Sequence, residues 1–166
     1  MEINWIALLL AALVPLIVGF VWYHPKVFGN AWMAAAGLTE ESLKGANMLK
    51  IFGLTYLLSF MAALVFQTVV IHQFHMLSVL ADEPGLNDPQ SEPARYLADF
   101  LAKYGNHYRT FKHGAFHGVF FSLLLILPVV GINAMFERRS FKYIAVNTGF
   151  WIVAFGLMGG IISAMK

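Results

Sequence analysis

Four stretches of this chain, Trp5 to Trp22, Ile51 to Ile71, Gly118 to Phe136 and Tyr143 to Met165, contain no Asp, Glu, Lys or Arg. Each is close to the ~20 apolar residues an α-helix needs to cross about 30 Å of hydrocarbon. A charge held at the centre of a bilayer costs roughly 2.5 to 3.5 kcal/mol on insertion scales, so uncharged runs of this length read as membrane spans rather than soluble core helices. With 59% hydrophobic and 12% charged residues, the composition points the same way. The expectation is an all-α, four-helix transmembrane bundle forming a single integral membrane domain over residues 1–166. Its spans fall at about 4–23, 48–72, 114–136 and 142–165, with an extramembrane loop at 76–112.

The first run lacks the basic leader and small-residue cleavage site of a secretory signal, and is expected to be retained as a span. Pro15 removes one hydrogen bond within it and should kink it. Four spans place both termini on one side. The loops opposite carry Lys26, Lys44, Lys50, Arg138, Arg139 and Lys142, whereas the terminal side carries Arg95, Lys103, Arg109, Lys112 and Lys166. The dense Arg138, Arg139, Lys142 turn and the absence of basic residues before the first span favour termini facing outward. The net charge of +2 gives no reason to expect nucleic acid as a partner. There are no cysteines, so any metal must be held by His, carboxylate or backbone groups.

Asn30 to Gly37 reads as a short helix with Asn30 at its start and Gly37 at its end, and Thr39 as the cap of a further turn bearing Glu40 and Glu41. In the long second loop, Ser91 can cap a helix ended by Gly105. Tyr96, Leu97, Phe100, Leu101 and Tyr104 share one face of it, which describes a short amphipathic interfacial helix lying on the membrane surface.

Four of the six histidines fall near the end of the second span and the start of the third, as His72-x-x-His75 and His113-x-x-x-His117. These spacings put each pair on one helical face, so two neighbouring helices could present His72, His75, His113 and His117 to a divalent transition metal such as zinc, copper, nickel or iron. His107, Asp82, Glu83 and Asp88 in the connecting loop are further possible ligands. The plainer reading has each imidazole bonded separately to headgroups, carbonyls or aromatic neighbours. Membrane di-iron oxygenases use more histidines than this chain has. No arrangement of serine, cysteine or paired carboxylates supplies a nucleophile or acid/base pair at lipid depth, so no catalytic or organic-cofactor residue is assigned. The uncharged stretches offer only Gln67, Asn133 and Asn147, expected to hydrogen-bond between helices, and this argues against a permease or channel.

Small residues mark close packing. Gly114 and Gly118, Gly156 and Gly160, and the alanines Ala7, Ala11 and Ala12 allow helices to approach, either within the chain or between copies.

The run Trp22-Tyr-His-Pro-Lys-Val-Phe-Gly-Asn-Ala-Trp-Met33, followed by Gly37-Leu-Thr-Glu-Glu41, resembles the bacterial membrane family called domain of unknown function 1761. The likeness extends to His117-Gly118, to Asn133 with Phe136-Glu-Arg-Arg-Ser140, and to Asn147-x-Gly149-x-Trp151 through Met158-Gly159. It implies a four-span protein of the bacterial cytoplasmic (inner) membrane and brings no activity with it. His24 replaces a small residue common at that place, and the segment from Ala81 to Lys112 departs from the usual pattern. Taken together, the residues predict a non-enzymatic membrane protein acting by helix packing, with the lipid bilayer and a homo-oligomer or larger membrane assembly as partners. A histidine-ligated metal protein or metal-dependent membrane enzyme is the alternative.

Overall fold

The structure, a computed structural model, describes residues 3–166. Met1 and Glu2, part of the N-terminal tail used in the topology argument, lie outside the described residues. The chain is all-helical, and no strand occurs among the described residues. Four helical stretches are long and apolar enough to cross a membrane: α1 (Trp5–Trp22), α4 (Met48–Val70), the stretch Phe111–Phe136, and α9 (Phe141–Ala164). The third is two helices, α7 (Phe111–Phe121) and α8 (Leu127–Phe136), joined through a π-helical turn at Ser122–Ile126. Pro128 accounts for this turn, because it lacks an N–H and its ring displaces the carbonyl four residues earlier. The helical stretch begins three residues ahead of the expected third span, so His113 and His117 occupy its first two turns.

Hydrophobic burial does not hold such helices together, since lipid is as apolar as leucine; close van der Waals contact does. The core combines Leu8, Ala11, Val14 and Val18 of α1, Ala63, Phe66 and Val70 of α4, and Phe150, Ala154, Phe155, Met158 and Ile162 of α9. The outer faces remain apolar and exposed, as at Ile17, Phe20, Leu58 and Phe120. The tightest contact lies between α7 and α9. A Cβ at Gly114 would collide with the Gly159 carbonyl, one at Gly118 with the Phe155 carbonyl, and one at Gly159 with the Gly114 carbonyl. Buried Ser122 adds a hydroxyl 3.1 Å from the Trp151 carbonyl. These glycines are thus occupied by the chain's own helices and need no second copy to explain them.

The Trp22 end is tied by polar contacts. Trp22 donates its indole N–H to the Val146 carbonyl at 3.1 Å, and Tyr23 donates to the Asn147 side-chain oxygen at 3.3 Å. α2 (Asn30–Ala36) runs on directly from a π-helical turn at Pro25–Gly29, so Asn30 continues a helix rather than capping one. Gly37 ends α2 with φ 70°, a left-handed conformation that glycine takes without a Cβ penalty. Arg139 then reaches across from the last turn and donates to the Ala36 carbonyl at 2.8 Å. Thr39 caps α3 (Glu40–Leu43), with Ser42 returning the bond.

Gly114→Ala should lower stability by about 2 kcal/mol or more, because a backbone contact cannot yield as a side chain can. Gly53→Ala, where an added Cβ meets nothing within 4 Å, should be neutral or stabilising by up to about 1 kcal/mol. Unfolding of both variants in mixed micelles checks this; equal stability of the two would refute the assigned contact.

Candidate metal centre

The α4 helix ends at Val70, and Ile71 leaves helical geometry at φ −115° and ψ 91°. That break directs the chain into α5 (Gln73–Val79), with His72 at the corner. From the other side, α6 (Glu92–Tyr104), capped by Ser91, leads through a short loop into α7. Tyr108 turns this loop with φ 61°, uncommon for a side chain of its size. Its conformation is held by its carbonyl, which accepts from Thr110 N–H at 2.8 Å and from the Ser163 hydroxyl at 3.2 Å. Thr110 caps α7 by accepting from His113 N–H at 3.3 Å. With α7 pressed against α9 through Gly114 and Gly118, the adjacent positions His113 and His117 project from a different side of the helix.

Three imidazoles meet there. One ring nitrogen from each of His72, His113 and His117 lies within 4.8 Å of the other two. The Nε2 atoms of His72 and His113 are 2.9 Å apart, a single shared proton's distance. Ring centroids of His72 and His117 are 4.9 Å apart, and those of His113 and His117 4.5 Å. Metal-to-imidazole bonds of about 2.0–2.1 Å in a tetrahedron set nitrogens roughly 3.3–3.4 Å apart, so modest side-chain rotation would bring the three to one ion. His72 is exposed, whereas His113 and His117 are half-buried. The Tyr108 ring lies against His113, with centroids 4.9 Å apart.

The fourth expected ligand is placed differently. His75 lies outside the group of three, its ring 6.4 Å from that of His72 between centroids. The break at Ile71 sets His72 at the head of α5 and turns it toward α7, while His75 sits one turn further on. His107 packs edge-on against Tyr104 at 5.2 Å. Neither it nor Asp82, Glu83 or Asp88 joins a metal-competent group among the described residues. His24 lies at the opposite end of α1, accepting from Lys26 N–H at 3.2 Å.

Two supporting residues escaped sequence reasoning. Gln73, buried beside His72, donates to the carbonyls of Tyr104 and His107 at 2.9 Å each and so joins the start of α5 to the end of α6. Arg109 donates to the Ser163 and Met165 carbonyls at 3.0 and 2.6 Å, capping α9. Burial lowers the Arg109 pKa from its usual range, which an arginine tolerates without losing its charge. Neither residue carries a local signal, whereas Thr110, directly before an apolar helix, has the pattern of a cap.

A family model described as "Protein of unknown function (DUF1761)" matches residues 6–163. The chain belongs to this family. The resemblance carried by the Trp22 to Met33 and Phe136 to Ser140 motifs therefore extends over nearly all of it. No curated protein and no solved structure matches the chain. The DUF1761 match takes in all three clustered histidines, but the family description assigns them no role.

Gln73→Leu should leave two loop carbonyls without their donor and cost about 1–3 kcal/mol. Amide exchange across residues 104–108 should quicken while exchange in α9 stays slow. Unchanged exchange in that segment would show that Gln73 does not hold it.

Proposed function

We propose that this DUF1761 member is a metal-binding membrane protein in which His72, His113 and His117 hold one divalent transition-metal ion where α4 ends and α7 begins. The convergence of three imidazole nitrogens within 4.8 Å carries this reading. Neutral imidazole is a good ligand for zinc, copper, nickel and iron, and three such ligands leave one tetrahedral position for water or substrate. Tyr108 and the Thr110 cap would hold His113 in place, and ligands kept oriented by their surroundings bind metal more tightly. Binding and orienting the ion is the task of these side chains; when bound, the metal would supply Lewis-acid or redox chemistry to whatever takes the remaining position.

The site stands at the same end of the helices as both termini, where Asn4 donates to the Lys166 carbonyl at 3.2 Å. If the basic Arg138, Arg139, Lys142 turn faces the cytoplasm, the metal is held on the outer side. The amphipathic α6, rooted to α5 by Gln73, would then lie along that surface of a four-helix bundle. Gly114, Gly118 and Gly159 are occupied internally, so these glycines do not by themselves argue for packing against other chains.

Untagged protein in mild detergent, loaded with zinc and dialysed, should retain about one metal per chain by elemental mass spectrometry. His113→Ala and His117→Ala should lose it, and His75→Ala should keep it. Retention should fall on acidification below neutral pH, because protons compete for the ligand nitrogens. Folded wild-type protein that stays metal-free after loading with zinc, copper, nickel and iron in turn would overturn the proposal.

A further inference from the structure

A cavity of about 430 Å³ opens at this same end of the molecule, on a wall that includes Ile71 and Arg109 but none of the clustered histidines. Its volume lies within the range of small-molecule sites. Its mouth carries Asn4, Asn106, Arg109 and Lys166, and one helical turn deeper it is lined by Leu8, Gln67 and Ile162. Gln67 is 7% exposed and makes no side-chain hydrogen bond among the described residues. The lining holds two basic side chains and no acidic one. The ion pairs among the described residues are Lys44 with Glu41 and Arg139 with Glu137, so Arg109 and Lys166 have no carboxylate partner there. Arg109 bonds α9 through Nε and Nη2 only, leaving further N–H donors on its guanidinium. The larger crevice at the opposite end, lined by Pro15, Phe20, Phe52 and Phe150, carries no charged residue.

We propose that the Arg109 cavity binds an amphiphilic anion, its carboxylate or phosphate head held by Arg109, Lys166 and the Asn106 amide and its apolar part entering beside Leu8 and Ile162. Guanidinium and ammonium groups recognise such heads through charge-assisted hydrogen bonds, and the wall below offers apolar contact. The head group can arrive on a membrane lipid or on a water-soluble amphiphile. This site is independent of the metal proposal, and His117→Ala should leave it unaltered.

The test uses the full chain in phosphatidylcholine nanodiscs, titrated calorimetrically with sodium octanoate and with 1-octanol, and corrected for protein-free discs. Octanoate should bind saturably, octanol should not, and both Lys166→Gln and Arg109→Gln should weaken octanoate by about tenfold. Lys166→Gln removes a charge from an exposed side chain and leaves the helix packing untouched, so it reports on the cavity even if Arg109→Gln loosens α9. In parallel, native mass spectrometry of protein extracted from its membrane would identify lipid as the source if an anionic lipid is retained by wild type and lost from both variants. Octanoate binding without retained lipid would assign a soluble anion. The proposal is overturned if octanoate behaves as octanol does and no anionic lipid is retained, or if binding is unchanged in both variants.

Discussion

Backbone contact between α7 and α9 is the constraint on which the rest of the molecule depends. Where Gly114 and Gly118 face Gly159 and Phe155, there is no room for a single methyl group, and the two helices have one rotational setting that avoids collision. That setting decides where His113 and His117 project. It also brings the end of α9 close enough for Arg109 to cap it and for Ser163 to hold the Tyr108 carbonyl. A glycine contact that looks purely structural thereby positions two of the three clustered imidazoles and one wall of the amphiphilic cavity.

The two ends of the molecule are secured by different means. At the Trp22 end, side-chain donors from α1 reach α9, and Arg139 clasps the end of α2, so a long connector is fixed to a short turn. At the other end the chain is more polar and less regular: α4 breaks at Ile71, a left-handed Tyr108 reverses the loop, and buried Gln73 spans between two segments. Irregular backbone and unpartnered polar groups are tolerated where water or a ligand can reach them. The histidines and the Arg109 cavity both occupy this end.

Local reading of the sequence succeeded where short-range physics governs. Uncharged apolar runs marked the four long helices, Thr39 and Ser91 marked caps, and Gly37 marked a left-handed stop, because each depends on neighbours a few residues away. It did less well where a distant group intervened. Asn30 looks like a cap in isolation, but the π-helical turn before it supplies the preceding helical carbonyls. Asn147 does bond to another segment, at Tyr23, whereas Gln67, of the same character, faces a cavity that no spacing rule reveals. The histidine pairs were visible as pairs, but helical spacing predicted equal roles for His72 and His75. Both lie beyond the break at Ile71, but His72, at the head of α5, meets His113 and His117, whereas His75 sits one turn further on.

The sequence by itself determined that this is an all-helical chain with four membrane-length helices and a DUF1761 member, because charge-free runs and contiguous motifs carry that information without reference to partners. Only the tertiary structure decided that the glycine faces are used inside the chain and that His72, forty-one residues from His113, shares a proton's distance with it. It alone brought the half-buried Arg109 and the amide of Gln67 to one cavity. Spacing along a helix tells which residues share a face. What that face meets depends on how closely helices approach, and here backbone-to-backbone contact at glycine set the distance.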